Sequence, residues 1–143
     1  MPSRSKAERA LPRLCAISVD LDEVYCYSAI HGLHALADDA EHAVYKRALP
    51  RLAGLFARLN VPATFFAVGK DLESAHARAA LAQLTAAGHE IANHSHDHYY
   101  DLTRRPRAEL RAQVALGADA IERAVGVRPV GFRAPGYTVS DEL

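Results

Sequence analysis

The stretch Ile17–Tyr25, ISVDLDEVY, runs from apolar residues straight into Asp20, Asp22 and Glu23. With Leu14, Cys15 and Ala16 ahead of it, its first half reads as a short buried strand over 14–19, part β-branched and free of charge. Three carboxylates in four residues at a strand end repel one another unless something cationic sits between them. The fold turns on the elements that come after this strand.

Three more strand-like stretches come later in the chain. ATFFAVG, 63–69, is opened by Pro62 and closed by glycine. HEIAN, 89–93, and RPVGFR, 128–133, are shorter. Helical patterns fill the intervals. PRLAGLFARLN, 50–60, puts Leu52, Leu55, Phe56 and Leu59 on one face, with Pro50 tolerable in the first turn. AEHAVYKRA, 40–48, is a separate helix or the first half of a kinked one. ESAHARAALAQLTAAG, 73–88, ends at a glycine suited to the position after a helix, and RAELRAQVALGADAIERAVG, 107–126, does the same. The segment 22–40 has no clear period and reads as a long loop. Strand alternating with helix predicts an α/β fold with a parallel sheet, in which ligands bind beyond the carboxyl ends of the strands. Asp20–Glu23, His94–His98 and Arg133–Tyr137 all fall at such ends.

Lys+Arg and Asp+Glu number 17 each in 143 residues, which argues against a nucleic-acid binder. There is no apolar run of membrane-spanning length, and the N-terminal MPSRSKAERALPRL lacks the apolar core of a signal peptide. Cys15 and Cys26 have neither redox nor metal-knuckle spacing and read as buried thiols of a reduced compartment. A cytoplasmic protein is therefore expected, with an extension over 1–13 and one domain over 14–143.

Of eight histidines, His89, His94, His96 and His98 fall within ten residues. His94 and His98 are four apart, so on a helical turn two imidazoles would face one ion, with His96 turned elsewhere and Ser95 or Asp97 holding the loop. Asp20 and Asp22 offer the oxygen donor that completes a catalytic zinc-type set, one binding metal and the other left as a base. Acidic residues after a strand also serve as helix caps. In GFRAPGY, Arg133 is suited to pinning a carboxylate, and the Pro135–Gly136 turn could aim backbone N–H groups, that of Tyr137 included, at an oxyanion. A haloacid-dehalogenase-like phosphatase, with Asp20 as nucleophile and Asp22 as acid/base, is the rival reading, but it has no use for His94 and His98.

Taken together, Asp20-Leu21-Asp22, His94-Ser95-His96-Asp97-His98 and Arg133-Ala134-Pro135-Gly136-Tyr137 resemble the ordered motifs of the polysaccharide deacetylase (NodB-type) family of carbohydrate esterases. The resemblance implies an irregular (β/α) barrel, here about four βα units of it. It also implies a metal-dependent hydrolase that removes an acetyl group from an N-acylated carbohydrate or small amide. By position, Asp20 would be the base, Asp22, His94 and His98 the ligands of a divalent ion, zinc first, Arg133 the partner of Asp20, and Tyr137 part of the oxyanion site. Imidazole and carboxylate also suit iron, cobalt, nickel and manganese. A full barrel takes about 250 residues, and no histidine comes after His98 to act as the family's general acid. The expectation is therefore a C-terminally truncated deacetylase that binds metal, turns over little by itself and self-associates through an uncovered sheet edge; a metal-binding remnant is the alternative.

Overall fold

The computed structural model describes residues 14–33 and 42–143. Its sheet has three parallel strands, β1 (Ser18–Asp20), β2 (Thr64–Ala67) and β3 (Glu90–Asn93), in the order β1-β2-β3. Asp20 is level with Phe66, and Phe66 with Ala92, so the carboxyl ends of all three strands form one rim. Consecutive neighbours winding in one direction are the pattern of a (β/α) barrel wall; a doubly wound sheet reverses its order.

Helix α1 (Val24–Ile30) leaves the rim at once. Helix α2 (Leu49–Leu59) is entered through a π-helical stretch, Val44–Ala48. Pro50 explains that stretch: it has no N–H to give the Lys46 carbonyl, and the ring displaces the preceding turn. The 40–48 segment is thus, over its described residues, the lead-in to α2. Helix α3 (Ala75–Ala86) begins where Ser74 accepts the Ala77 N–H, and α4 (Arg107–Val125) ends at Gly126, whose φ of 78° glycine tolerates. The core lies between these helices and the sheet, around Tyr45, Leu49, Phe56, Phe65, Leu81, Ile91 and Ile121.

Several expectations are corrected. The 22–40 segment is not all loop, because α1 forms in it; seven residues with only Cys26 and Ser28 buried are too few to show a helical period. Residues 34–41 lie outside the described part. The 128–133 strand shrinks to a single bridge, Asn93 to Phe132. Pro129 lacks a ladder N–H and Val130 is 95% exposed, so only Gly131 and Arg133 bond to Asn93. The inner stripe of α2 runs through Leu49, Leu52, Ala53 and Phe56, whereas Leu55 and Leu59 are 38% and 59% exposed. Cys15 is exposed and only Cys26 is buried.

Helix α4 touches the rim through Gly117. A Cβ there would lie 2.8 Å from the Ser95 carbonyl carbon and closer still to Asn93 Oδ1. Gly54, in α2, has only the end of Arg58 within 3.8 Å. Gly117→Ala is expected to destabilise by about 1–3 kcal/mol, and Gly54→Ala to stabilise by about 0.5–1 kcal/mol, both read from urea unfolding.

Candidate active site

The three carboxylates leaving β1 take three directions. Asp20 Oδ1 accepts from Arg133 Nη1 at 2.5 Å, and Oδ2 accepts from the Tyr137 hydroxyl at 3.1 Å. Glu23 turns inward, buried, and accepts the Val44 and Tyr45 N–H groups at 3.2 and 3.1 Å. It caps the helical lead-in to α2, a role expected of acidic residues here but for a nearer helix. Asp22 points at the histidines: its Oδ1 is 3.2 Å from Nε2 of His94 and 3.2 Å from Nε2 of His98.

His94 and His98 meet without a helical turn, which corrects that expectation. The loop after β3 bends through left-handed backbone at Ser95 (φ 65°) and His98 (φ 58°). Side chains absorb the turn. Asn93 Oδ1 accepts the Ser95 N–H at 3.0 Å, and Ser95 Oγ accepts the His98 N–H at 3.2 Å. Asp97 is held at both ends by Gln113 of α4, at 2.7 and 2.6 Å. His96 packs against Gly69, and His89 accepts the Ala63 N–H at the opposite end of β3. Neither joins the pair.

The tautomer of His94 is set by its contacts. Its Nδ1 lies 2.7 Å from the Arg133 carbonyl, an oxygen that can only accept, so Nδ1 carries the proton. The other ring nitrogen, Nε2, is the one that faces Asp22. Asp22 Oδ1 and His98 Nε2 are both buried without a hydrogen-bonding partner, since their close contacts lack hydrogen-bond angles. One donor atom from each of Asp22, His94 and His98 lies within 4.8 Å of the others. Burial alone would raise the Asp22 carboxyl, but the two imidazoles outweigh it and hold the group well below the usual carboxylate range.

Arg133 stacks on Phe66, 4.0 Å from the ring centre, and its Nη2 donates to Ser18 Oγ at 2.8 Å. Tyr137 is 73% exposed, and its N–H donates to the Ala134 carbonyl at 3.0 Å. That backbone donor is therefore engaged, and only the hydroxyl and ring face the site. Behind Asp22 stands a second buried acid, Asp71, which accepts from the Tyr25 hydroxyl at 3.0 Å. Burial, opposed by that hydroxyl and reinforced by Glu23 and Asp22, pushes Asp71 up to about 7. Sequence reasoning missed Glu23 as a distant cap, Asn93, Gln113, Gly117 and Asp71. A signal existed for Gln113, a lone amide on the α4 face that also carries Leu110, Gly117 and Ile121.

The family model for polysaccharide deacetylases matches residues 36–143, well over half of the sequence. The chain belongs to this family. The match begins downstream of Asp20 and Asp22. The peptidoglycan deacetylase of Helicobacter pylori is 26% identical over 130 residues, which cover 90% of this chain and 43% of that protein. A Mycobacterium smegmatis structure assigned to the polysaccharide deacetylases is 28% identical, with a TM-score of 0.71 over 88% of this chain and 44% of its own. A CE4 family pseudoenzyme from Bacillus anthracis shares the fold, with a TM-score of 0.64 at 21% identity over 89% of this chain and 37% of its own. This chain thus spans less than half the length of these relatives, and the shared fold occurs in a protein described as a pseudoenzyme.

Removing the Glu23 carboxylate leaves the buried Tyr45 N–H and the half-buried Val44 N–H without an acceptor. Glu23→Ala is expected to lower stability by at least about 2 kcal/mol in urea unfolding. For Asp71 the folded chain keeps a proton that the unfolded chain, with its ordinary value of 3.8, gives up before about pH 7. This group's contribution is full below about pH 4 and is lost as pH rises to about 7. Stability measured across that interval should therefore fall for wild type relative to Asp71→Asn, and parallel curves would contradict the assignment.

Proposed function

We propose that this chain carries the metal-binding and base-bearing part of a deacetylase acting on the carbon–nitrogen bond of an N-acetylated sugar or a related small amide. Asp22, His94 and His98 would hold one divalent ion, zinc first. The supporting observation is the meeting of His94 Nε2, orphaned His98 Nε2 and orphaned Asp22 Oδ1, with the other nitrogen of His94 held by the Arg133 carbonyl. A proton placed there satisfies one contact at a time, whereas a cation satisfies all three. The donor set of two imidazoles and a carboxylate therefore fits such an ion. When bound, it supplies Lewis acidity for attack on the acyl carbonyl.

The rest is done by this chain's own groups. Asp20 is the base, taking the proton of the attacking water on a carboxylate oxygen. Arg133 and Tyr137 each donate to one of its oxygens and so fix the direction of its free lone pairs. Both donors leave Asp20 facing the same rim as Asp22 instead of pairing with the histidines. The exposed Tyr137 ring supplies a wall against which a sugar can lie. The phosphatase alternative gives no role to His94 and His98, which here converge on Asp22. A cytoplasmic location goes with this reading on account of the free thiols Cys15 and Cys26. Among the described residues no helix is long and apolar enough to cross a membrane.

Zinc titration of the metal-free chain, measured by calorimetry, is expected to give one equivalent bound. His94→Ala and His98→Ala should each weaken it about 100-fold or more. Asp20→Asn should keep zinc affinity within about tenfold, because Asp20 is turned to Arg133 and Tyr137 and away from the three ion donors. Stoichiometric zinc binding indifferent to both histidine substitutions would overturn the proposal.

A further inference from the structure

At the amino ends of β2 and β3, the opposite end of the sheet from Asp22, α2 and α3 leave a groove between them of about 490 Å³. That lies within the roughly 300–1,000 Å³ range of small-molecule sites. Small residues open it: Ala53, Gly54 and Ala57 on α2, Ala80 on α3 and Ala87 just past its end. Buried Phe56 and Leu84 add to its apolar lining.

His89, the residue before β3, lines the same groove and is only 9% exposed. The Ala63 N–H donates to its Nδ1 at 3.2 Å, and a ring nitrogen that accepts carries no proton. The ring is therefore neutral, with its proton on Nε2, on the far side from that bond. The rings of Phe56 and Phe65, 6.0 and 5.4 Å from the imidazole centre, pack against it and hold its orientation. Nε2 has no acceptor among the described residues, and it is not among the side-chain atoms sealed from solvent. A fixed, unpartnered donor thus opens onto an apolar groove.

The charge around the groove decides what suits that donor. None of the lining residues is charged, so an entering carboxylate would lose its hydration with no lining cation to replace it. Helices α2 and α3 both end here, at Asn60 and Ala87, and bring the partial negative charge of their last carbonyls. Arg58, in the last turn of α2, offsets that at one helix, whereas the last turn of α3 has no basic residue. Water alone could take the His89 proton, but it would leave the apolar lining wet.

We propose that this groove binds a small neutral molecule with an apolar body and one hydrogen-bond acceptor, a carbonyl oxygen first, which accepts from His89 Nε2. The site is remote from the proposed metal centre and stands whether or not the deacetylase reading does.

Acetophenone carries such a carbonyl; ethylbenzene replaces it with apolar atoms, and benzoate replaces it with a charge. Each is titrated into the chain and followed by proton–nitrogen NMR, with the histidine rings labelled. Acetophenone is expected to saturate one site, to shift the His89 Nε2–H resonance and to bind about fivefold more tightly than ethylbenzene. Benzoate should bind more weakly than acetophenone. His89→Asn retains a side-chain oxygen for the Ala63 N–H but removes the donor to the groove, and it should bind acetophenone and ethylbenzene alike. At Gly54 a Cβ would meet only the end of Arg58, at 3.8 Å, so Gly54→Leu extends into the groove without a clash at its root. It should weaken both neutral compounds about tenfold or more. No saturable binding to wild type, equal affinity for ketone and hydrocarbon, or benzoate as the tightest of the three would overturn the inference. So would a ketone preference that survives His89→Asn, or binding untouched by Gly54→Leu.

Discussion

Asp20, Asp22 and Glu23 leave the end of β1 within four residues, and their mutual repulsion is relieved by sending each to a different kind of positive partner. Asp20 meets a guanidinium and a phenol, Glu23 meets the partial positive charge of a helix start, and Asp22 meets imidazoles. Only Asp20 belongs to β1; Asp22 and Glu23 lie on the turn into α1, where the chain has left the alternation of the strand. Glu23 thereby anchors the segment bearing Asp22 to the core around Tyr45, and Asp22 inherits a fixed position without bonding to that core. The site depends on this separation. With any one of the three partners missing, an unpaired carboxylate would sit where burial makes charge costly.

The histidine loop is held by a different economy. Left-handed backbone at Ser95 and His98 is unfavourable by roughly 1–2 kcal/mol per non-glycine residue. Such a conformation persists only where its surroundings over-determine it. Here they do: Asn93, Ser95 Oγ and Gln113 satisfy the loop's N–H groups, and Asn93 Nδ2 donates to the Val114 carbonyl of α4 at 2.9 Å. Gly117 lets α4 come close enough for these bonds to be made. The support for two imidazoles at the rim therefore lies on the helix behind them.

The α/β alternation and the three rim motifs were legible because each rests on short-range pattern: apolar runs, glycine stops, and charge placed just past a strand. The family emerged from their order. What stayed hidden were features set by tertiary contact. Helix α1 is too short to show a period, and the weak fourth strand hides behind the β-like residues Val130 and Phe132, whose neighbour Pro129 limits its pairing. A spacing of four between His94 and His98 suggested a helical turn, yet the same convergence comes from two left-handed residues, which no one-dimensional pattern displays. The Tyr137 N–H looked free because a turn's internal bond to Ala134 cannot be read from RAPGY. Asp71 and Glu23 gave no signal beyond being acidic, since their burial depends on elements far along the chain.

Arg133 serves the rim twice, by chemically unrelated parts of one residue. Its side chain holds Asp20, 113 residues away, and its carbonyl fixes the His94 proton. The segment that carries it is joined to the sheet by little more than the two backbone bonds at Asn93. Such a segment belongs to the low-stability end of a fold, opening more often than the strands it leans on. Each opening releases the aim of Asp20 and the partner of the His94 proton together, while Asp22 and the histidine loop stay held by their own contacts.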